Sequence, residues 1–390
     1  MRKRGAKRCE HVAQGGFPRA VRGEHVDRLI LDLAGCPLSG LSPEAERALT
    51  AHLGIADAPD PREALLEALD IDTRGVGDIL CPPKSLYQKL SDTAYIDEWG
   101  VKRHYTGLYW DIVNAPIVHL STEDLDDYPW PDPDSIPEAT LLAIRDRAKF
   151  LHEETDYVVC ASHPVYGVFE LGLWMCGFEE FMVRMYEDEP FVRKFIQIVL
   201  TYQLKVIRRY YEALGPYIDY TSSGDDFATQ SSLFLSPAMF QDFIAPAFKE
   251  RIRFTKQFTD APFLHHSCGN VARLIPDLIG CGVDILNPIQ PSVPDMAPRA
   301  LRAAYGGKIA FHGGLDTQAE LPGGTPESVA RAVNQLLDDI EAHKGGYIFA
   351  AAHNLQGDVP PENIVAMFRA ARAWTPNKQQ GGIISCGRSH

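Results

Sequence analysis

Short apolar runs alternate along most of the chain with stretches of helical periodicity, and glycine pairs or prolines separate one from the next. Residues 29–33 (Leu-Ile-Leu-Asp-Leu) predict a first strand. Residues 41–54 predict a helix with Ser42 as N-cap, Pro43 in the first turn and Gly54 as the stop. A long helix is predicted over 188–214. Its apolar face holds Phe191, Phe195, Ile198, Val199, Leu204 and Ile207, and Gly215-Pro216 closes it. In the second half, strands are predicted over 262–266, 283–286, 306–312 and 345–352. Helices over 271–279, after Thr325-Pro-Glu327 and after Pro360-Pro-Glu-Asn363 separate or follow them. This alternation indicates a parallel sheet with right-handed crossovers. About seven strands are readable, and neighbouring ones carry polar residues at their C-terminal ends. The class is therefore α/β, a (β/α)8 TIM-like barrel with an N-terminal helical extension and an active site at that end. Residues 1–24 read as a flexible basic stub, 25–374 as one barrel domain and 375–390 as a disordered tail.

Composition narrows the partners. Among 390 residues, 38 Lys and Arg face 52 Asp and Glu, a formal charge of −14, so phosphate backbones are repelled and nucleic acid is excluded as a partner. No window approaches the roughly 18 unbroken apolar residues of a membrane helix, which excludes a bilayer partner. Eight cysteines are too sparse for a disulfide framework, and the first residues carry no apolar signal region. A cytoplasmic location is expected, with the cysteines acting as thiols or metal ligands. Residues 123–134 form an acidic, proline-pinned stretch that reads as solvated surface.

The sharpest chemical signal is His266-Ser267-Cys268. At the strand period of two, His266 and Cys268 share a face while His265 points the other way. An imidazole and a thiolate side by side suit a borderline-soft ion such as zinc; the competing reading is a buried histidine beside a buried thiol. Cys281 precedes the next strand and therefore lies at the far end of the barrel, beyond ligand reach. His353 ends the last strand, either as a functional group or as a backbone cap. Asp225-Asp226 follows Tyr220-Thr-Ser-Ser-Gly224, and one of the two serves as acid, base or cation ligand while the other caps a turn. Asp316 reads as a loop cap or a site group. Glu170 is a carboxylate inside an apolar run, so burial makes it a raised-pKa group or a paired one. Tyr166, Phe169, Trp174 and Phe227 are expected to line an apolar pocket or to serve packing.

Gly313-Gly-Leu-Asp316, Leu235-Ser-Pro-Ala-Met-Phe240 and Asp358-Val-Pro-Pro-Glu-Asn363 resemble the uroporphyrinogen decarboxylase superfamily, which also holds cobalamin-dependent methyltransferases. The decarboxylase branch opens with an Arg-Gln-Ala-Gly-Arg segment, and nothing like it stands in residues 1–110. Its tyrosine position falls on Glu170. Asp78-Ile-Leu80 repeats a decarboxylase tripeptide without its flanks and is set aside. His265-His-Ser-Cys-Gly269 is instead similar to the His-x-Cys-Gly of the methyltransferase branch, whose histidine and cysteine are zinc ligands; His266 and Cys268 match them. That branch adds a cysteine where this chain has His353, so the resemblance implies a site completed by His353, Glu170 or one of the aspartates. It further implies a zinc cofactor, a cobalamin carried on a separate corrinoid protein, a small-molecule methyl donor or acceptor, and a homodimer. The activity implied is methyl transfer to or from a small methylated substrate (an aryl methyl ether, for example) or a thiol, with Asp226, Glu170 and His353 as catalytic groups. The alternative is decarboxylation of a porphyrinogen, with Asp226 stabilising pyrrole charge and His353 contacting substrate.

Overall fold

The computed structural model describes residues 16–24, 28–107 and 110–375. A short helix, α1 (Gly16–Val21), precedes strand β1 (Ile30–Leu31), which α2 (Pro43–His52) and α3 (Pro61–Ala68) connect to β2 (Thr73–Val76). Four short strands follow, β3 (Gln88–Lys89), β4 (Ala94–Ile96), β5 (Lys102–Tyr105) and β6 (Trp110–Ile112), paired antiparallel as a separate sheet. Helix α4 (Glu138–Glu154) returns the chain to β7 (Val158–Ser162). Then α5 (Val168–Cys176), α6 (Phe178–Glu187) and α7 (Glu189–Leu214) cross to β8 (Tyr220–Gly224). A three-residue turn of helix, α8 (Pro237–Met239), runs through a π segment into α9 (Ala245–Thr255) and on to β9 (Phe263–His266). The pattern repeats with α10 (Ile275–Cys281) to β10 (Ile285–Asn287) and α11 (Pro298–Tyr305) to β11 (Ala310–His312). Helices α12 (Glu320–Gly323) and α13 (Pro326–Asp339) lead to β12 (Tyr347–Phe349), and α14 (Pro361–Ala373) ends the fold.

Eight strands pair parallel in the order β1-β12-β11-β10-β9-β8-β7-β2. The two ends of this order meet: Asp72 N donates to Leu31 O at 3.0 Å, and Leu31 N donates to the Asp72 carboxylate at 2.9 Å. Gly75 permits the approach, since a Cβ there would lie 2.9 Å from the carbonyl oxygens of both Ala34 and Gly35. The result is a nearly closed (β/α)8 barrel, as the alternation predicts. One strand escapes the pattern, because Thr73-Arg-Gly-Val76 has a single apolar side chain in four.

The predicted caps hold. Ser42 accepts from Ala45 N with Pro43 behind it, and Thr325 forms a reciprocal capping box with Ser328. On α7 the buried stripe includes Phe191, Phe195, Val199 and Ile207 as expected, but it turns toward Val192, Ile196, Tyr202, Val206 and Tyr210 and leaves Ile198 and Leu204 half-exposed. The barrel interior is filled by Ile30, Val158, Cys160, Tyr220, Leu264, Ile285, Ala310 and Ile348. Helix α1 stops its N-terminal end: Phe17 is buried and stacks on Tyr220 with ring centroids 4.9 Å apart. The packed body thus starts by residue 16, earlier than the expected boundary at 25. Residues 1–15 of the expected stub and 376–390 of the expected tail lie outside the described residues. Among the described residues no helix is long and apolar enough to cross a membrane. With one mouth of the barrel stopped by α1, the C-terminal strand ends form the open one.

Candidate active site

Alternation along β9 sets the centre of the site. Leu264 points into the barrel core and His266, two residues on, into the mouth; His265 faces outward and packs on Phe248 at 4.5 Å. The chain then turns sharply at Gly269 (φ +85°), where a Cβ would meet Thr229 O at 2.4 Å, so only glycine fits. This turn lets Cys268 N donate to Asp226 Oδ1 at 2.7 Å and brings Cys268 Sγ to 3.3 Å from His266 Nε2. His353 arrives from β12 past Ala350-Ala-Ala352 and faces His266 edge-on, with ring centroids 5.6 Å apart. One ligand atom from each of His266, Cys268 and His353 lies within 4.8 Å of the others. Bonds of about 2.0–2.3 Å in a tetrahedral zinc site place neighbouring ligand atoms about 3.3–3.6 Å apart. The His266–Cys268 pair already stands at that spacing, and a shift of about 1 Å brings in His353. The donor set therefore fits zinc. Asp226 Oδ1, 3.7 Å from His266 Nε2, is the next group along.

The neighbouring carboxylates separate into two roles. Asp225 is buried and accepts from Phe169 N (3.1 Å) and Glu170 N (2.8 Å), so it caps the first turn of α5. Gly167 makes room for it, since a Cβ there would lie 2.2 Å from Asp225 Cγ. Of the pair, Asp226 is the one on the cavity wall. Glu170 follows the cap, beside Asp226. Burial first, and then the negative charges of Asp226 and Asp225, raise the Glu170 carboxyl well above its ordinary range. Burial also lifts Asp225 to about 7. The Cys268 thiol is pushed up to about 12 by burial and by Asp226 and Glu170, so without a cation it keeps its proton. Burial lowers both His266 and His353, the latter to about 4, and leaves neutral imidazoles able to ligate.

Glu170, Asp226, His266 and His353 line a cavity of about 350 Å³. Leu38, Ile79, Val165, Tyr166 and Trp174 supply the apolar part of its wall. Among the described residues no lysine or arginine lines it. Trp174 meets Tyr166 edge-on at 5.1 Å and carries the Arg103 guanidinium of β5 over its ring at 4.6 Å, so the inserted sheet braces this wall. Phe169 and Phe227 do not reach the cavity; both are fully buried, 6.0 Å apart, and serve packing. Asp316 caps its own loop, accepting from the backbone N–H of Gln318, Ala319 and Glu320. Cys281 lies at the end of α10, where its thiol donates to Ala245 O, away from the cavity.

Two groups of residues were missed in the sequence. Asp78 and Ile79, set aside for want of flanks, stand on the cavity wall past β2. Behind His266, moreover, Asn287, His312 and Asp32 continue a line of hydrogen bonds through the barrel. A carboxylate within Leu-Asp-Leu was the available signal for Asp32.

Residues 111–374 match the family model of uroporphyrinogen decarboxylase (URO-D). Among solved structures, a methyltransferase from Methanosarcina mazei superposes with a TM-score of 0.62 at 15% identity, covering 91% of this chain and 97% of its own. A putative vitamin-B12-independent methionine synthase from Listeria monocytogenes (TM-score 0.40, 11% identity, 89% and 96% covered) and xylanase 10B from Thermotoga maritima (0.38, 12%, 62% and 81%) are more distant. No curated protein matches the chain.

Proposed function

The chain belongs to the uroporphyrinogen decarboxylase (URO-D) family, and from that premise we propose that it is a zinc-dependent methyltransferase. It moves a methyl group between a small methylated substrate, such as an aryl methyl ether, or a thiol and a corrinoid carried by a partner protein. The observation that carries this reading is the convergence of His266, Cys268 and His353 at metal-ligand spacing, two of them lining a cavity in which no lysine or arginine stands among the described residues. A porphyrinogen bearing several carboxylates would meet Asp226 and Asp78 there, with no arginine among the described lining residues to offset them. The volume of about 350 Å³ also sits at the low end of small-molecule pockets, which run from about 300 to 1,000 Å³. The methyltransferase fold of the Methanosarcina protein is in keeping with this reading.

His266, Cys268 and His353 would hold the ion. Bound there, zinc supplies Lewis acidity toward a substrate oxygen, or lowers the pKa of a thiol so that it is a nucleophile near neutral pH. A corrinoid on the partner would supply the cobalt for the methyl exchange. Tyr166, Trp174 and Ile79 seat the apolar body of the substrate and exclude water. Burial and the neighbouring aspartates raise the Glu170 carboxyl well above its ordinary range, which suits it to give a proton to the oxygen left when an ether loses its methyl group. Asp226 holds the Cys268 backbone in place through its N–H.

Two reaction mixtures test the proposal: reduced cobalamin with an aryl methyl ether, and methylcobalamin with a thiol, each followed by cobalt absorbance. Enzyme-dependent formation or loss of methylcobalamin is expected. No change in either mixture, together with release of carbon dioxide from a porphyrinogen, would overturn the proposal.

A further inference from the structure

Four side chains from four of the barrel strands meet end to end. His266 Nδ1 lies 2.5 Å from Asn287 Oδ1, Asn287 Nδ2 lies 2.6 Å from His312 Nδ1, and His312 Nε2 lies 2.7 Å from Asp32 Oδ2. They stand on or just past the ends of β9, β10 and β11, which are neighbours, and of β1, which lies beyond β12, and none is more than 4% exposed. The direction of each bond is set by the Asp32 end. This carboxylate already accepts from Gly35 N at 2.9 Å, Ser39 Oγ at 2.6 Å and the Thr73 hydroxyl, and as a carboxylate it has no proton to give. His312 Nε2 must therefore donate to it. A neutral imidazole protonated at Nε2 accepts at Nδ1, and the Asn287 amide nitrogen meets that demand. The other end of the amide is then an acceptor, so His266 Nδ1 must donate. His266 Nε2 is left with a bare lone pair, facing Cys268 Sγ.

We infer that Asp32, acting through His312 and Asn287, is a positioning residue that fixes His266 as its Nδ1–H tautomer and aims Nε2 at the centre shared with Cys268 and His353. The inference deepens the zinc reading above and rests on it for its purpose, though not for its geometry. A histidine in water favours the opposite, Nε2–H tautomer, whose proton would occupy the ligating position. The relay removes that competition before any ion arrives. Cys268 is consistent with it, since its thiol can donate to the same lone pair in the metal-free protein. Outer partners of this kind orient metal-binding histidines, and their loss commonly weakens metal binding about 10- to 100-fold.

The test uses metal-free full-length protein labelled with ¹⁵N-histidine, with tautomers read from long-range ¹H–¹⁵N correlations and His266 assigned from a His266→Gln spectrum. The wild type should show His266 protonated at Nδ1 and His312 protonated at Nε2. In Asp32→Asn, an amide that can donate replaces the fixed acceptor. His266 should then move toward the Nε2–H form, and zinc affinity by chelator competition should fall about 10- to 100-fold. Wild-type His266 protonated at Nε2 would overturn the inference, as would a folded Asp32→Asn protein with unchanged tautomer and zinc affinity. If Asp32→Asn does not fold, the wild-type spectrum decides without it. The expected tautomers in a protein that binds no zinc would sustain the relay while sinking the zinc reading, so the two failures are distinguishable.

Discussion

Glu170 shows how a single position is tuned by its neighbours. The Asp225 cap holds its backbone, Asp226 stands beside it, and both charges add to burial in keeping its proton on. If that proton goes to the departing oxygen, Glu170→Gln should lower turnover by about 10²–10⁴-fold while bound metal is retained. The sign of the pH dependence follows from the raised pKa. The competent form is the protonated one, so the rate should fall as pH rises through the Glu170 pKa, and this alkaline limb should be missing from the residual rate of the variant. A Glu170→Gln protein with the wild-type rate and profile would remove Glu170 from the mechanism. Glu170 was legible in the sequence because a carboxylate in Val-Phe-Glu-Leu-Gly-Leu has no apolar reason to be there. Asp32 carried the same signal in Leu-Asp-Leu. It passed as part of a strand because its partner His312 lies 280 residues away and only the closed barrel joins them.

At the scale of elements, the site depends on close approaches that glycine permits. Gly167→Ala would press a methyl group onto Asp225, displacing the α5 cap and Glu170 with it. The expected cost is about 1–3 kcal/mol of stability, with turnover reduced more than metal content. Denaturant titration and metal analysis on the same preparation would check both. Helix α1 acts differently, as a stopper: Phe17→Ala should cost about 3–5 kcal/mol in chemical unfolding yet leave metal stoichiometry unchanged, because Phe17 sits at the other end of the barrel. Helices α2 and α13 could be read from their capping residues and α7 from its apolar stripe, all of which are local signals. The β3–β6 sheet could not. Its strands are two to four residues long with no buried residue, and what fixes them is tertiary: Tyr95 against Trp110 at 4.9 Å and Arg103 over Trp174. Arg103→Ala should therefore loosen the cavity wall and raise KM several-fold with little change in kcat, which steady-state kinetics would show.

For the whole molecule, fold and site have one cause. Parallel strands closed into a barrel must end together, and stopping one mouth with α1 leaves the strand ends of the other to carry the polar groups. The same closure brings His353 from the last strand to His266 on the fifth of the eight, a meeting that no local pattern contains. The strand period made the His266–Cys268 pair readable, whereas His353 stood beside Glu170 and the aspartates as one of several candidates until it was brought to the pair by the barrel. It also decides between Asp225 and Asp226 by turning one to the helix and the other to the cavity. Zinc binding at this meeting point is tested by the zinc content of purified full-length protein beside that of Cys268→Ala. About one zinc per chain is expected in the wild type and almost none in the variant. A folded wild-type protein that takes up no zinc, or a Cys268→Ala variant that binds it as well as the wild type, would contradict the zinc reading.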